Sequence, residues 1–255
     1  MRRLLRPTRR GLIVGGSALL LAGCDRLDSS SEVRDALGRT EDITRTVQRL
    51  LTSPTALAQE FRPSDISHPF KANGTTSPDD EDYEDAAAAR FADWRLEVGG
   101  LVDRPAKLSL ADLRALPART QITRHDCVEG WSCIGQWTGA VLGPLLQRVG
   151  LKQGARYVVF HCADRLEGTM SADKYYECID LGDAFHPQTI LAYDMNGAPL
   201  PVAHGAPLRL RVERQLGYKM AKYVMRIEVV STFADIGRGK GGLWEDLGYT
   251  WYAGI

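Results

Sequence analysis

Residues 122–139 read "ITRHDCVEGWSCIGQWTG" and set Cys127 between a charged pair and a Trp-rich run. Downstream of residue 24 the chain carries four cysteines, Cys127, Cys133, Cys162 and Cys178. In an oxidising compartment an even count suggests disulfides, and four cysteines allow three pairings that sequence cannot separate. A zinc site is a second reading, with no C-x-x-C pair and no close histidine pair to support it. A nucleophile is a third: His125, His161 or His204 could serve as base, yet no hydrolase signature surrounds Cys127. The fourth is a soft thiolate on a transition metal. A metal held by one protein thiolate takes its other ligands from an organic cofactor, which needs a cradle elsewhere in the chain.

Working outward, the cradle candidate is "HGAPLRLRVERQLGYKMAK", residues 204–222. Arg209 offers a planar fork for phosphate, Lys219 and Lys222 offer point charges, and a turn at Gly217 frees backbone N–H groups to face an anion. The plainer reading is a solvated basic strand and turn. The segment "LRLRV", residues 208–212, alternates as a strand, with Leu208, Leu210 and Val212 on one face and Arg209 and Arg211 on the other.

Around these two segments the chain reads as α+β. "WRLEV" from Trp94, "RYVVFHCA" and "YVMRIEVV" read as strands, and Ser109 is placed to cap a short helix around Leu110 and Leu113. A helix opens at Gly143-Pro144 and closes at Gly150, and no regular βαβ alternation appears. Residues 173–201 read as a polar stretch. Residues 62–85, "RPSDISHPFKANGTTSPDDEDYED", read as a long irregular segment with Asn73 in its middle. Before it, Ile43, Val47, Leu50 and Leu51 follow helical spacing, and Ser53-Pro54 is a cap followed by a first-turn proline.

The first residues, "MRRLLRPTRRGLIVGGSALLLAGCD", carry five arginines and an apolar run from Leu12 to Ala22, about half the length a membrane span needs. They read as an export signal. Leu21-Ala22-Gly23-Cys24 resembles the lipobox of bacterial lipoproteins, which implies acylation of Cys24 and a periplasmic, membrane-tethered domain. Asp25 resembles the signal that retains such proteins at the inner membrane, and Thr8-Arg9-Arg10 resembles a twin-arginine signal, the route for proteins exported already folded. The expected division is 1–23 signal, 24–68 tether and helical lead-in, and 69–255 a single domain. Loss of the five arginines leaves 27 basic against 32 acidic residues, so no nucleic-acid-binding face is indicated.

"RHDCVEGWSCIGQWTG", residues 124–139, taken with "LAYDMNGAPLPVAHGAPLRLRVERQLGYKMAKYVMRIEVV", residues 191–230, resembles the molybdopterin-binding oxidoreductase domain of the sulfite oxidase superfamily. It is most similar to catalytic subunits of bacterial periplasmic methionine sulfoxide reductase systems. The resemblance spans roughly Pro69 to Val230 and implies a strand-rich α+β fold holding a molybdenum-molybdopterin cofactor. By position it implies Cys127 as the thiolate on molybdenum and Glu129 close to the metal. Arg209 would bind the pterin phosphate, with backbone and ammonium contacts from Met220, Ala221 and Lys222. His204 stands where the reductases have a cofactor-contacting asparagine, Cys162 falls near a contacting threonine, and Asn73 matches a cofactor-binding asparagine. Trp131 and Trp137 read as core aromatics. Tyr175, Tyr176 and the tail "WEDLGYTWYAGI" could pack, cover the site or face a partner.

The implied chemistry is two-electron oxygen-atom transfer, most simply reduction of a small-molecule or protein-bound S-oxide or N-oxide. Electrons would come from a haem-bearing inner-membrane partner, since no C-x-x-C-H motif is present. A reductase is favoured over a sulfite oxidase because there is no room after the last strand for an immunoglobulin-like dimerisation domain. The alternatives are sulfite-dehydrogenase-like oxidation and a non-catalytic envelope lipoprotein of the same fold.

Overall fold

The computed structural model describes residues 43–165 and 173–255. The export signal, the lipobox and Cys24 lie outside the described residues. The chain divides into two units, Met1–Leu51 and Thr52–Ile255. In the first, residues 43–51 are helical, as their spacing predicts. Among the described residues no helix is long and apolar enough to cross a membrane.

The second unit carries two five-stranded sheets. One is ordered β2-β1-β10-β5-β6, from Ala106–Leu108 (β2), Leu96–Gly100 (β1), Val224–Val230 (β10), Tyr157–Arg165 (β5) and Lys174–Asp180 (β6). Within it β1 and β10 run parallel, whereas β2, β5 and β6 join antiparallel. The other sheet runs β3-β4-β7-β8, from Ala118–Asp126 (β3), Ser132–Val141 (β4), Ile190–Met195 (β7) and Ala198–Pro199 (β8), with Arg209–Arg211 (β9) also on β7. The helices are Glu81–Ala88 (α1), Leu110–Arg114 (α2), Leu142–Val149 (α3), Leu181–Ala184 (α4) and Leu243–Asp246 (α5).

Strand alternation explains where the core sits. On β7, Leu191 and Tyr193 join the large core with Val158, Phe160 and Ile227, while Ile190 and Ala192 join a smaller cluster around Phe70 and Trp137. This strand is apolar on both faces, so it reads as a continuous run instead of an alternating one. In α3, Leu142, Leu145, Leu146 and Val149 fall on one helical stripe and are all buried. Each such side chain contributes roughly 1.5–3 kcal/mol by leaving water. Ser109 caps α2 as its sequence predicts, its hydroxyl accepting from the Asp112 N–H at 3.1 Å.

Three expectations are corrected. The irregular segment 62–85 contains the start of α1, capped by Asp80, whose carboxylate accepts from Tyr83 N–H at 3.1 Å. The polar stretch 173–201 contains β6, α4, β7 and β8. The arginines of β9 are not solvated: both Arg209 and Arg211 have no exposed surface.

Candidate functional site

The strands β3 and β4 form a long hairpin whose connecting loop is Cys127–Trp131. The loop is closed by Cys127 N–H donating to Trp131 O at 2.9 Å and Gly130 N–H donating to Cys127 O at 3.0 Å, with Gly130 at φ +82°. It presents Cys127, half-buried, and Glu129, exposed, at one end of the sheet. Trp131 Nε1 donates to Glu129 Oε2 at 2.8 Å, and Lys71 Nζ lies 3.8 Å from the same oxygen and 4.8 Å over the Trp131 ring. Burial pushes the Cys127 thiol up from its ordinary value. All four described cysteines are free thiols, so the disulfide reading fails.

Cys127, Val128 and Glu129 form one wall of an open cleft of about 580 Å³, counted with its solvent-filled mouth. Asn73 to Thr75 line a second part and Asp164 a third. The remainder is Tyr175, Gly217, Tyr218, Met220, Lys222 and Trp244. The turn Gly217–Lys219 packs against β3 so closely that a Cβ at Gly217 would lie 2.4 Å from His125 Cε1, which restricts this position to glycine. Lys222 Nζ donates to Asn73 O at 2.6 Å, to Thr75 O, and to Ala203 O at 3.4 Å. Burial, then the Arg209 charge, lowers the Lys222 pKa, and burial raises that of Asp164.

Beside the cleft, Arg209 is wholly buried. Its Nη1 donates to His204 O at 3.1 Å, while Nε and Nη2 have no hydrogen-bond partner among the described residues. Burial and the neighbouring Arg211 lower its pKa to about 9. Asn73 Oδ1, Asp164 Oδ1 and His204 Nδ1 are likewise buried without partners. Leaving such a group unsatisfied costs about 1–3 kcal/mol, and more if it is charged, so a concentration of them marks a place where a polar ligand or ordered water is accommodated. The arrangement fits molybdenum-molybdopterin: an unpaired guanidinium for a phosphate, a thiol for a soft metal, and donors and acceptors between them for a polar ring system.

Of the residues singled out in the sequence, Asn73, Cys127, Glu129, Met220 and Lys222 meet at the cleft. Arg209 and His204 lie buried beside it. Ala221 sits in the core, its carbonyl accepting from Leu210 N–H at 2.8 Å. Cys162 is not among the lining residues; it is buried in the core, its Sγ 4.0 Å from Phe160 O. Lys219 is also corrected: it does not face the cleft but holds two buried carboxylates, Glu177 and, at 2.5 Å, Glu245. Sequence reasoning missed Asp164, whose one signal is an acid closing the apolar run "YVVFHCAD", and Tyr218; of the tail named as able to cover the site, Trp244 lines the cleft, as does Tyr175.

The family described as "Oxidoreductase molybdopterin binding domain" matches residues 84–235. A protein of Azospira oryzae, named as a candidate protein-methionine-sulfoxide reductase subunit YedZ1, is 39% identical over 96% of this chain and 86% of its own length. The protein-methionine-sulfoxide reductase catalytic subunit MsrP of Xanthomonas axonopodis is 35% identical over 64% of this chain, and that of Ralstonia nicotianae 36% over 63%. This chain spans about half the length of these two catalytic subunits, 51% and 50%. The sulfane dehydrogenase SoxCD of Paracoccus pantotrophus aligns at a TM-score of 0.49 and 23% identity, over 55% of this chain and 39% of that one. With the family match across more than half of the sequence and a relative similar along nearly all of it, the chain belongs to the molybdopterin-binding oxidoreductases of the sulfite oxidase family and is a molybdenum-dependent enzyme.

Proposed function

We propose that this enzyme reduces S-oxides in the periplasm, drawing electrons from a haem-bearing membrane partner while tethered through a lipid on Cys24. The observation that carries the reading is the pairing of a half-buried thiol that lines the cleft, Cys127, with a guanidinium buried beside it whose Nε and Nη2 have no partner among the described residues, Arg209. The names of the relatives, which refer to methionine sulfoxide reduction, support the choice of S-oxides over other oxides.

In this reading Cys127 holds molybdenum and Arg209 the pterin phosphate. Lys222, which donates to the Asn73, Thr75 and Ala203 carbonyls, would fix that side of the cleft, and Asn73, His204, Met220 and Ala221 would supply further contacts to the cofactor. The cofactor, when bound, supplies two-electron oxygen-atom transfer. An S-oxide takes up two electrons and two protons and leaves as the thioether and water. Glu129, fixed by Trp131 and close to Lys71, orients what enters beside Cys127. Cys162 acts from the core, shaping the strand β5 that carries Asp164. The N-terminal segment 1–23 serves export, 24–68 the tether and lead-in, and 69–255 catalysis. A tether would raise the effective concentration of the enzyme at a membrane partner.

The test is to export the full chain folded in a molybdenum-competent host and measure molybdenum and pterin per chain, then S-oxide reduction with a reduced dye. Near-stoichiometric cofactor with turnover supports the proposal. Full loading without reduction of any S-oxide would refute it, as would export without lipid on Cys24 for the tether.

A further inference from the structure

The matched family segment ends at residue 235, yet the chain returns to the cleft after it. Trp244, on α5, lines the cleft, and its ring centroid lies 4.9 Å from that of Tyr249. Tyr249 in turn lies 5.3 Å from Tyr218, which also lines the cleft, and Tyr175 donates its hydroxyl to Tyr218 O at 2.5 Å. Tyr218 is buried, Trp244 is half-buried against the core and Tyr249 is 39% exposed, so this aromatic surface runs from the core out to solvent at the edge of the cleft.

The wall is held from behind. Lys219, fully buried, binds Glu177 and Glu245, and each of the three is a near neighbour of a wall residue. Glu177 follows Tyr175 by two on β6, Lys219 follows Tyr218, and Glu245 follows Trp244. The ion cluster therefore ties three separate chain segments together at the back of one aromatic face.

The charges of the cleft, Glu129 exposed at its mouth and Asp164 buried within it, complement this face. Glu129 and Asp164 contribute carboxyl groups to the cleft. The nearby lysines are engaged, Lys71 with Glu129 and Trp131, and Lys222 with three carbonyls. A small oxyanion such as sulfite would meet carboxylates, whereas a neutral sulfoxide would meet aromatic faces suited to sulfur and to apolar substituents. We infer that Trp244, Tyr249 and Tyr218 form a specificity wall selecting neutral S-oxides with an apolar substituent over small oxyanions. This rests on the S-oxide reading above.

The cofactor-loaded enzyme is compared with Trp244→Ala, Trp244→Phe and Tyr249→Ala, using methyl phenyl sulfoxide, dimethyl sulfoxide and sulfite. The wild type is expected to favour methyl phenyl sulfoxide in kcat/KM over both others. Trp244→Ala should lower the ratio of the two sulfoxides at least about tenfold, Tyr249→Ala by less, and Trp244→Phe should restore most of it. Binding of methyl phenyl sulfide, read by calorimetry, should weaken about tenfold in Trp244→Ala. An unchanged ratio and unchanged sulfide binding in both alanine variants would overturn the wall, as would a preference for sulfite in the wild type. If no sulfoxide is reduced but sulfide binding still depends on Trp244, the reductase reading falls and the wall stands.

Discussion

Arg209 and Arg211 lie two residues apart on β9, both without exposed surface, and of the two Arg211 has the carboxylate. Its Nε and Nη2 donate to Glu213 at 2.9 and 2.6 Å, while Arg209 Nε and Nη2 find no partner among the described residues. The pair separates an arginine with a carboxylate partner from the one proposed to bind an anion.

Arg209→Gln should therefore lower molybdenum and pterin content at least about tenfold, because bonds to a charged group are worth about 1.5–3 kcal/mol each. The same change should leave the cofactor-free protein at least as stable as wild type, since it removes an uncompensated buried charge. Arg211→Gln should cost the cofactor-free protein about 3–5 kcal/mol by stranding Glu213. Urea denaturation and metal analysis check both. Equal destabilisation by the two would contradict the anion role of Arg209.

Lys219→Met would leave Glu177 and Glu245 buried side by side, each already with one oxygen lacking a partner. A loss of about 3–5 kcal/mol is expected at neutral pH. Adding Glu177→Gln should recover part of it, measured by denaturant midpoint in a double-mutant cycle.

His204 carries a pKa lowered to about 4, by burial first and then by Arg209 and Lys222. The unfolded chain binds a proton there near the ordinary 6.5 that the folded one refuses. Stability of the cofactor-free protein should thus fall as pH drops from about 6.5 toward 4, by less than the full ~1.4 kcal/mol per unit because the ring is partly solvated. His204→Asn should flatten this acid limb in a series of unfolding curves. An identical slope in the variant would show that other groups carry it.

Cys127→Ser should abolish turnover while leaving the fold intact, because a hard hydroxyl replaces a soft thiolate at a half-buried loop position. Cys133→Ser, a buried change in the Phe70 and Trp137 cluster, should lower stability and leave loading of the surviving folded protein near wild type. Molybdenum content, turnover and thermal midpoint distinguish the two.

Much of the fold was legible where one side of an element is apolar, as in α3 or β10. The strand β3 was not, for a physical reason. Its inward residues Gln121, Thr123 and His125 are polar and buried, because they face Arg211 and Glu213 and not an apolar layer. Hydrophobic periodicity is silent on such a strand. The same ion pair hid the burial of β9, whose arginines look solvent-facing until Glu213 is placed. Cys127 and Lys222 were visible because they sit in compact local segments. Asp164 reaches the cleft only through the topology, which no local pattern encodes, and the tail that begins at Trp244 was legible as a possible cover but not as a wall of this cleft.

The parallel pairing of β1 with β10 sets the order in which the molecule can be completed. Strand β10, at residues 224–230, lies between β1 and β5 in its sheet, so those two strands have no common neighbour until nearly the whole chain has been synthesised. Pairing across such a separation is slow. Val224 N–H also donates to Leu208 O at 3.0 Å, next to Arg209, so the chamber around that guanidinium closes with the same late strand. Biogenesis therefore has an interval in which the hairpin bearing Cys127 can exist while the phosphate end remains open. Chains shortened before residue 224 would remain in that state, unable to seal a large cofactor inside.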